Sequence, residues 1–202
     1  MSVAKIDEII TSPGRDEYLE RYTGIFDNLP VLSTIRDLTL RKLQTSDAIR
    51  YGLLNERNQV AGYFELTKYD DTKWQVVLVQ VAPAYKSQGY GTFLYDYAVM
   101  NDKLSILSDV NQSEGGPGGS KGLWLKLYNQ GRFRVCGYNL STDTVLPAAT
   151  PSDVYNQSEN ICWLATPGNE TINEMLTRQN ARYEGKRTIV WYGPTTVSGD
   201  NF

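Results

Sequence analysis

Residues 79–94 read Val79-Gln80-Val81-Ala82-Pro83-Ala84-Tyr85-Lys86-Ser87-Gln88-Gly89-Tyr90-Gly91-Thr92-Phe93-Leu94. An apolar strand ends near Val81, a short loop follows, and an amphipathic helix begins after two glycines that are one residue apart. Free N–H groups at a helix start converge on anions, and glycine lets a ligand approach the backbone closely. The stretch predicts an anion site, with a plain strand-to-helix turn as the alternative. It is neither a Walker loop nor a dinucleotide fingerprint, because GKS, GKT and GxGxxG are all absent.

Upstream of this stretch, the sequence predicts a meander of antiparallel strands. Apolar residues alternate loosely along 35–43, residues 59–68 are strand-like, and the polar runs 55–58 and 70–71 mark two of the turns. The predicted strands are 35–43, 48–54, 59–68 and 74–81. The last of them is apolar on both faces, which is typical of a strand in the centre of a sheet.

Downstream, the pattern changes to alternating helices and strands. Helices are predicted over 91–102 and 120–130, with Ser120 as the cap and Gly131 as the closing residue. Strands are predicted over 104–107, 133–140 and 161–165. A Gly-rich loop occupies 111–119, and a polar insertion, 141–160, separates the last two strands.

Both ends of the chain carry further predicted elements. Ser12 and Pro13 open a helix whose apolar residues recur at helical spacing, which predicts one buried face: Tyr18, Tyr22, Ile25, Phe26 and Leu29. Near the other end, a helix is predicted up to Gly185 after a capping box of Thr171 and Glu174, followed by a strand over 188–192. Residues 195–202 have the composition of a loose tail.

Composition excludes several kinds of chemistry. The 202 residues are 41% apolar and 21% charged, with a formal charge of −3, as expected for a globular protein without a widespread basic surface for nucleic acid. There is no histidine, which removes Ser-His-Asp and Cys-His catalysis and HExxH metal sites. The two cysteines, Cys136 and Cys162, are too few for a disulfide scaffold or a Cys-rich zinc site.

No targeting or membrane segment is recognisable. The N-terminus lacks a basic stretch followed by an apolar run, and the longest aliphatic run is 76–79. We therefore expect the protein in the cytoplasm, away from membranes.

The loop and its surroundings resemble the GNAT N-acetyltransferase superfamily. Members carry Arg or Gln, two residues, Gly, one residue, and Gly or Ala, after a strand and a Val-x-Pro-x-Tyr-like approach. Residues 81–91 have this form, with Lys86 in place of the usual Arg or Gln. The family order continues with a strand, a helix with a Leu-Tyr pair, and Gly-Phe before the next strand, here at 104–108, 120–130 and 131–133. The resemblance covers about 35–140 and 161–166, and Ser108-Asp109 with Leu123-Trp124 is similar to bacteriophage acetyltransferases.

The resemblance implies an α+β (α/β) GNAT-like fold. Its central sheet would be mixed, mostly antiparallel and twisted, with about six or seven strands flanked by helices. Residues 35–194 would form the domain, with 1–34 packed on it as a helical segment. The implied co-substrate is acetyl-CoA, without a metal, bound at the strand end and the loop by Val79, Val81, Lys86, Ser87, Gln88, Gly89, Tyr90, Gly91 and Thr92.

The resemblance also implies direct acetyl transfer to an amine, with a base for the amine and an acid for the leaving thiolate. Without histidine, the candidate bases are Glu65 and Asp109, and the candidate acids are Tyr128 and Ser108. Each has a plain structural alternative. These alternatives are a carboxylate on the outer face of the sheet for Glu65, a cap or turn residue for Asp109, a core tyrosine for Tyr128 and a turn residue for Ser108. The family tyrosine aligns with Trp124, and Tyr128, one turn later, could replace it.

Three functions remain open from the sequence. The first is an active N-acetyltransferase whose acceptor is a small molecule, a protein or a modified base. The second is a catalytically silent GNAT-fold binding or structural protein, as a homodimer or within a larger assembly such as a virion. The third is a transferase with another acyl donor or nucleophile. If the gene belongs to a phage, the host cytoplasm is the expected location.

Overall fold

The computed structural model of the protein describes residues 19–109, 119–146, 149–156 and 160–168. The strands are β1 (Ser33–Ile35), β2 (Leu38–Gln44), β3 (Ala48–Leu54), β4 (Val60–Lys68), β5 (Lys73–Val81), β6 (Ser105–Leu107), β7 (Arg134–Asn139), β8 (Thr144–Leu146) and β9 (Ile161–Thr166). The α-helices are α1 (Tyr90–Asp96), α2 (Ser120–Gln130) and α3 (Pro151–Asn156). Helix α1 continues directly into a π-helical turn, Tyr97–Asn101, and short 3-10 turns occupy Thr23–Phe26 and Pro83–Tyr85.

Within the described residues, all nine strands form one sheet in the order β1-β2-β3-β4-β5-β6-β9-β7-β8. Strands β1 to β5 pair antiparallel in sequence order, which confirms the predicted meander. Strand β6 lies parallel to β5, a connection that needs a crossover, and the segment containing α1 provides it. The sheet is mixed and mostly antiparallel, as expected, and the short edge strands β1 and β8 raise the strand number above the prediction.

Two layers of apolar side chains cover the sheet. Helices α1 and α2 pack on one face through fully buried residues such as Leu94 and Trp124, against Phe64 and Leu66 of β4. On the other face, the N-terminal segment forms a separate cluster with the sheet, which includes Leu19, Phe26, Leu54, Val60 and Tyr63. The predicted buried face of this segment is confirmed for its described part, although Thr23–Phe26 is a 3-10 turn and not α-helix.

Polar contacts hold the α1 segment at the end of α1 and again after the π-helical turn. Asp96, at its end, is buried and forms an ion pair with the buried Arg132, just before β7. Burial raises the pKa of Asp96 to about 6, and Arg132 opposes this rise. After the π-helical turn, Asp102 accepts hydrogen bonds from the Tyr51 hydroxyl (2.6 Å) and the Lys42 ammonium (2.9 Å). The helix that follows the loop 86–91 is therefore fixed to the sheet and to the end of α2.

Some predicted elements are corrected. Gly119, not Ser120, is the cap of α2, and no side-chain hydrogen bond caps this helix. Gly131 closes α2 in the left-handed conformation with φ of 58°, as expected. The insertion 141–160 contains β8 and α3, which were not predicted from the sequence. The opening at Ser12, most of the Gly-rich loop 111–119, and the predicted elements over 171–192 and 195–202 lie outside the described residues.

Candidate active site

A gap opens between β5 and β6 in the middle of the sheet. The two strands pair only at their start, where residues 73–75 lie opposite 105–107. Beyond Leu107 the chain follows β9, because the Ser108 N–H donates to the Trp163 carbonyl (2.8 Å) and the Trp163 N–H donates to the Ser108 hydroxyl (3.0 Å). Along 76–81, β5 therefore has no neighbouring strand on this side among the described residues.

The backbone of β5 turns donors towards this gap. Glu65 of β4 lies opposite Leu78 and Leu66 lies opposite Val76, so Val77 is an extra residue that forms a β-bulge. After the bulge the alternation is regular, and the Ala82 N–H donates to the Ala61 carbonyl of β4 (2.8 Å). Since successive residues of a strand point their N–H groups to opposite sides, those of Val79 and Val81 face away from β4, into the gap.

The loop after β5 is exposed and rich in free donors. Lys86, Ser87 and Gln88 are exposed, and Gly89 is the N-cap of α1. Ser87 and Gly89 have left-handed backbone conformations, with φ of 61° and 89°. In the part of the chain that the structure describes, no acceptor binds the backbone N–H groups of 87–92. The loop thus presents a row of unused amides at a helix start, as an anion site requires.

The side chains of the loop take different roles. Tyr90 and Thr92 are each 2% exposed, so only their backbone can contact a ligand. The Gln88 amide donates to the Ala84 carbonyl (3.1 Å), which fixes its side chain across the loop. A Cβ on Gly91 would lie 3.8 Å from Leu123 Cδ2 and 4.0 Å from Val81 Cγ2, at ordinary contact distances. Gly91 therefore lies beside both α2 and the end of β5.

Glu65 is held on the sheet face that the N-terminal segment covers. Its carboxylate accepts from Arg50 Nε (2.9 Å) and from the Tyr63 hydroxyl (2.8 Å). Tyr22 stacks on Tyr63 with 3.8 Å between the ring centroids. Burial raises the pKa of Tyr63, and the hydrogen bond to Glu65 raises it further, so this hydroxyl remains a donor. The charge of Glu65 is already compensated by a cation.

Ser108 and Asp109 lie where β6 leaves β5. The Ser108 side chain is fully buried, and its hydroxyl donates to the Asp109 carbonyl (3.1 Å) while it accepts from Trp163 N. Ser108 therefore joins β6 to β9, and its hydroxyl is not directed at solvent. Asp109 is partly exposed. Burial raises the pKa of the Cys162 thiol to about 12, and the charge of Asp109 acts in the same direction.

Tyr128 lies on α2, half-buried against the aromatic end of β9. Its ring centroid is 5.2 Å from that of Trp163, whose indole N–H donates to the Tyr155 hydroxyl of α3 (2.8 Å). Trp124, which aligns with the family tyrosine in the sequence, is fully buried with its ring 5.2 Å from Tyr95. Leu127-Tyr128 is itself a Leu-Tyr pair, one turn later in the same helix, and its tyrosine is the more exposed of the two aromatic residues.

Sequence reasoning missed two groups around these residues. Arg50 lies opposite Glu65 in the β3–β4 register, and the register shift between Leu53 and Leu54 means that counting outward from the turn at 55–58 would not have found this pair. Arg36 and Asp37, in the turn between β1 and β2, contact the side chains of Gln88 and Tyr90. No sequence signal connects these positions, because β1 is too short to show a strand pattern.

Metal ligands and membrane spans are both missing from the described part of the chain. No cluster of three or more His, Cys, Asp or Glu side chains in ranges 19–109, 119–146, 149–156 and 160–168 could hold a metal ion. Within the same ranges, no helix has the length and apolar character needed to cross a membrane.

Comparison with known proteins gives a family match for the first part of the chain. Residues 15–103 match the model described as acetyltransferase (GNAT) family. Similar solved structures include a putative GNAT-family acetyltransferase from Bacteroides thetaiotaomicron, at 13% identity over 89% of this chain and 87% of that one, with a TM-score of 0.35. The structure of nourseothricin acetyltransferase is 14% identical over 78% of this chain and 95% of that one, with a TM-score of 0.37. None of the curated proteins matches the chain. The stretch similar to the acetyltransferase (GNAT) family, residues 15–103, contains both β5 and the loop 86–91, and the mixed sheet flanked by helices agrees with a GNAT fold.

Proposed function

We propose that the chain binds acetyl-CoA in the gap beside β5 and transfers the acetyl group directly to an amine. One observation carries this proposal: the outward-facing amides of Val79 and Val81 and the amides of the loop lie along one edge of β5, and no described strand covers that edge. That edge lies within the stretch that matches the GNAT acetyltransferase family. The match reaches residue 103, so it includes the strand, the loop and the helix that follows.

The proposed cofactor contacts follow the direction of the backbone donors. The amides of 87–92 bind the diphosphate together with the Lys86 ammonium, because the helix dipole alone contributes only about 0.3–1 kcal/mol. The N–H groups of Val79 and Val81 bind the pantetheine arm, and one of them polarises the thioester carbonyl as an oxyanion donor. Gly89 provides the left-handed turn that aligns the two sets of amides.

The proposed reaction needs two proton transfers around one bond exchange. The amine nitrogen attacks the thioester carbon, the C–N bond forms, and the C–S bond breaks. Asp109, at the narrow end of the gap, takes the amine proton directly or through water, and Tyr128 protonates the leaving thiolate. Glu65 is the second candidate base, but both of its carboxylate oxygens already accept hydrogen bonds, from Arg50 and from Tyr63. Ser108 is better explained as a structural residue, because its hydroxyl is shared between β6 and β9.

Mass spectrometry of acceptors tests this function. The protein is incubated with acetyl-CoA and a panel of small amines, peptides with free amines and modified bases, and each acceptor is checked for the mass of an added acetyl group. A second panel replaces acetyl-CoA by longer acyl-CoA donors, which separates a different donor class. An acetylated product that depends on the protein and on acetyl-CoA supports the proposal.

A second candidate is a GNAT-fold binding protein without turnover. It is favoured by one observation: the carboxylate of Glu65 and the hydroxyl of Ser108 are both already bonded within the protein. This candidate expects a thermal shift with CoA and acetyl-CoA, none with ATP, and no acetylated product. A ligand at about 100 times its Kd stabilises a fold by about 2.7 kcal/mol, which a thermal shift detects.

The acceptor, the compartment and the partners remain parts of the proposal. The cytoplasm is the expected compartment, and the resemblance to bacteriophage acetyltransferases is still a prediction. A homodimer or a larger assembly is likewise a prediction.

A further inference from the structure

A two-residue hairpin turn lies against the loop 86–91. Ile35 pairs with Leu38, so the connection between β1 and β2 consists of Arg36 and Asp37 alone. Both residues are exposed, and β1 is the edge of the sheet. This hairpin brings a cation to the end of the sheet where β5 ends and the loop begins.

Three contacts fix the hairpin turn to the loop. Arg36 Nη1 donates to the side-chain Oε1 of Gln88 (3.0 Å), and the Arg36 guanidinium carbon lies 5.5 Å from the centroid of the Tyr90 ring. The Tyr90 hydroxyl donates to Asp37 Oδ1 (3.3 Å). Gln88 and Tyr90 are two of the residues whose backbone N–H groups have no acceptor among the described residues. The guanidinium is therefore held beside these amides by contacts from both sides of the turn.

The guanidinium keeps donors for a further acceptor. A guanidinium presents five N–H groups in a planar fork, and its contacts with Gln88 and Tyr90 use only part of that fork. The planar fork fits a phosphate with two parallel hydrogen bonds, which a lysine ammonium cannot match.

The backbone of Arg36 is strained at this position. Its φ is 53°, a left-handed conformation that costs a residue with a Cβ about 1–2 kcal/mol. An exposed arginine contributes no core packing that would compensate for this cost. A two-residue hairpin turn needs a positive φ at its first central position, so the turn itself explains this conformation and holds Arg36 in place beside the loop.

We propose that Arg36 is a phosphate ligand of coenzyme A, a second cation beside Lys86 that reaches the cofactor from outside the loop. This inference rests on the proposed function. Arg36 adds a charge-assisted, two-pronged contact to a site otherwise built from neutral amides and one lysine, and so contributes to the selection of CoA thioesters over uncharged thioesters. The phosphate is either the diphosphate or the 3′-phosphate of the adenosine.

Titration calorimetry of two ligands tests the role of Arg36. Acetyl-CoA and dephospho-CoA are each titrated into the wild type and into Arg36→Gln and Arg36→Lys. We expect Arg36→Gln to weaken acetyl-CoA binding about 10–100-fold and Arg36→Lys to restore part of the loss. If the loss persists with dephospho-CoA, the partner is the diphosphate, and if it disappears, the partner is the 3′-phosphate.

Lys103→Gln is the matched control. Lys103 is also an exposed cation with a left-handed backbone, with φ of 58°, and it lies at the opposite end of the sheet, before β6. The control should bind both ligands as the wild type does. The slope of log Kd against log salt should become shallower in Arg36→Gln alone, which a merely structural role would not produce.

Each outcome decides either the assignment of Arg36 or the proposed function. Equal acetyl-CoA affinity and an equal salt slope in the wild type and Arg36→Gln would overturn the assignment of Arg36 and leave the proposed function intact. A wild type that binds neither ligand would overturn the proposed function itself. If Arg36→Gln loses thermal stability without ligand, Arg36→Lys decides: an affinity above that of Arg36→Gln with the salt slope of the wild type would support the assignment, and a loss equal to that of Arg36→Gln would contradict it.

Discussion

At the residue scale, the two glycines of the loop have different requirements. Gly89 has a φ of 89°, whereas Gly91 lies in the first turn of α1 with room for a Cβ. We expect Gly89→Ala to lower the free energy of unfolding by about 1–2 kcal/mol. Gly91→Ala should be neutral or stabilising by up to about 1 kcal/mol, because alanine favours helix. Urea denaturation of both variants measures the difference, and equal losses would contradict the assigned backbone geometry.

Tyr128 provides a second prediction at this scale. If its hydroxyl protonates the leaving thiolate, Tyr128→Phe should lower kcat by about 10²–10⁴-fold and leave the Kd for acetyl-CoA unchanged. Tyr69→Phe is a suitable control, because Tyr69 is an exposed tyrosine in the turn before β5. Steady-state kinetics and calorimetry separate the two effects. An unaltered kcat in Tyr128→Phe would remove this residue from the mechanism.

Individual residues of the site were only partly predictable from the sequence. The donors of the loop follow from local chemistry: a strand end, two glycines and a helix start. The environments of Glu65 and Ser108 do not, because they depend on partners in other strands, Arg50 and Trp163. A carboxylate bound by a cation and a carboxylate facing a gap look alike in a sequence.

At the element scale, the N-terminal segment packs through a contact that excludes a Cβ. Phe26 occupies the space above Gly52 of β3, and a Cβ on Gly52 would lie 2.6 Å from the Phe26 ring. We expect Gly52→Ala to cost about 1–3 kcal/mol of stability, because the ring must move. Gly24→Ala is the control, since a Cβ on Gly24 would have nothing within 4 Å, and it should change stability by less than about 0.5 kcal/mol. Equal stabilities of the two variants would show that the segment is not packed on β3.

The ion pair between Asp96 and Arg132 connects α1 with the end of α2. Both side chains are buried, at 8% and 9% exposure, so removal of one partner leaves a charge in the core. We expect Asp96→Ala to cost about 3–5 kcal/mol at pH 8, where the carboxyl group is ionised. Lys68→Ala breaks the exposed pair with Asp71 and should cost less than about 1 kcal/mol. Denaturation midpoints compare the two, and a small loss in Asp96→Ala would contradict this role of the pair.

Elements with a repeated pattern could be predicted, and short ones could not. The strand-like composition of 48–54 and 59–68 and the polar turn between them were enough to place β3 and β4. Strands β1 and β8 have three residues each, too few to show an alternation, and pairing with a neighbour determines them. The 3-10 turn at Thr23–Phe26 has apolar residues at positions that also fit an α-helix.

At the scale of the whole molecule, the order of elements predicted the fold, but the gap could not be predicted. The gap depends on a bulge at Val77 and on Ser108, where the segment that follows β6 no longer pairs with β5 and pairs with β9 instead. Neither event has a local signal in the apolar run 76–79, because both depend on the register between strands. For the same reason, Val79 and Val81 could be named from the sequence only through the resemblance to a family.

Calorimetric titration of acetyl-CoA into the wild type, Gly91→Asn and Gly91→Asp tests the central claim most directly. The two variants place side chains of nearly the same shape beside the amides of the loop, in a position with room for a Cβ, and differ in one negative charge. If the diphosphate binds there, the wild type binds, Gly91→Asn loses part of its affinity, and Gly91→Asp loses binding while it remains folded. Equal affinities of Gly91→Asp and the wild type would contradict the claim that this loop holds the cofactor.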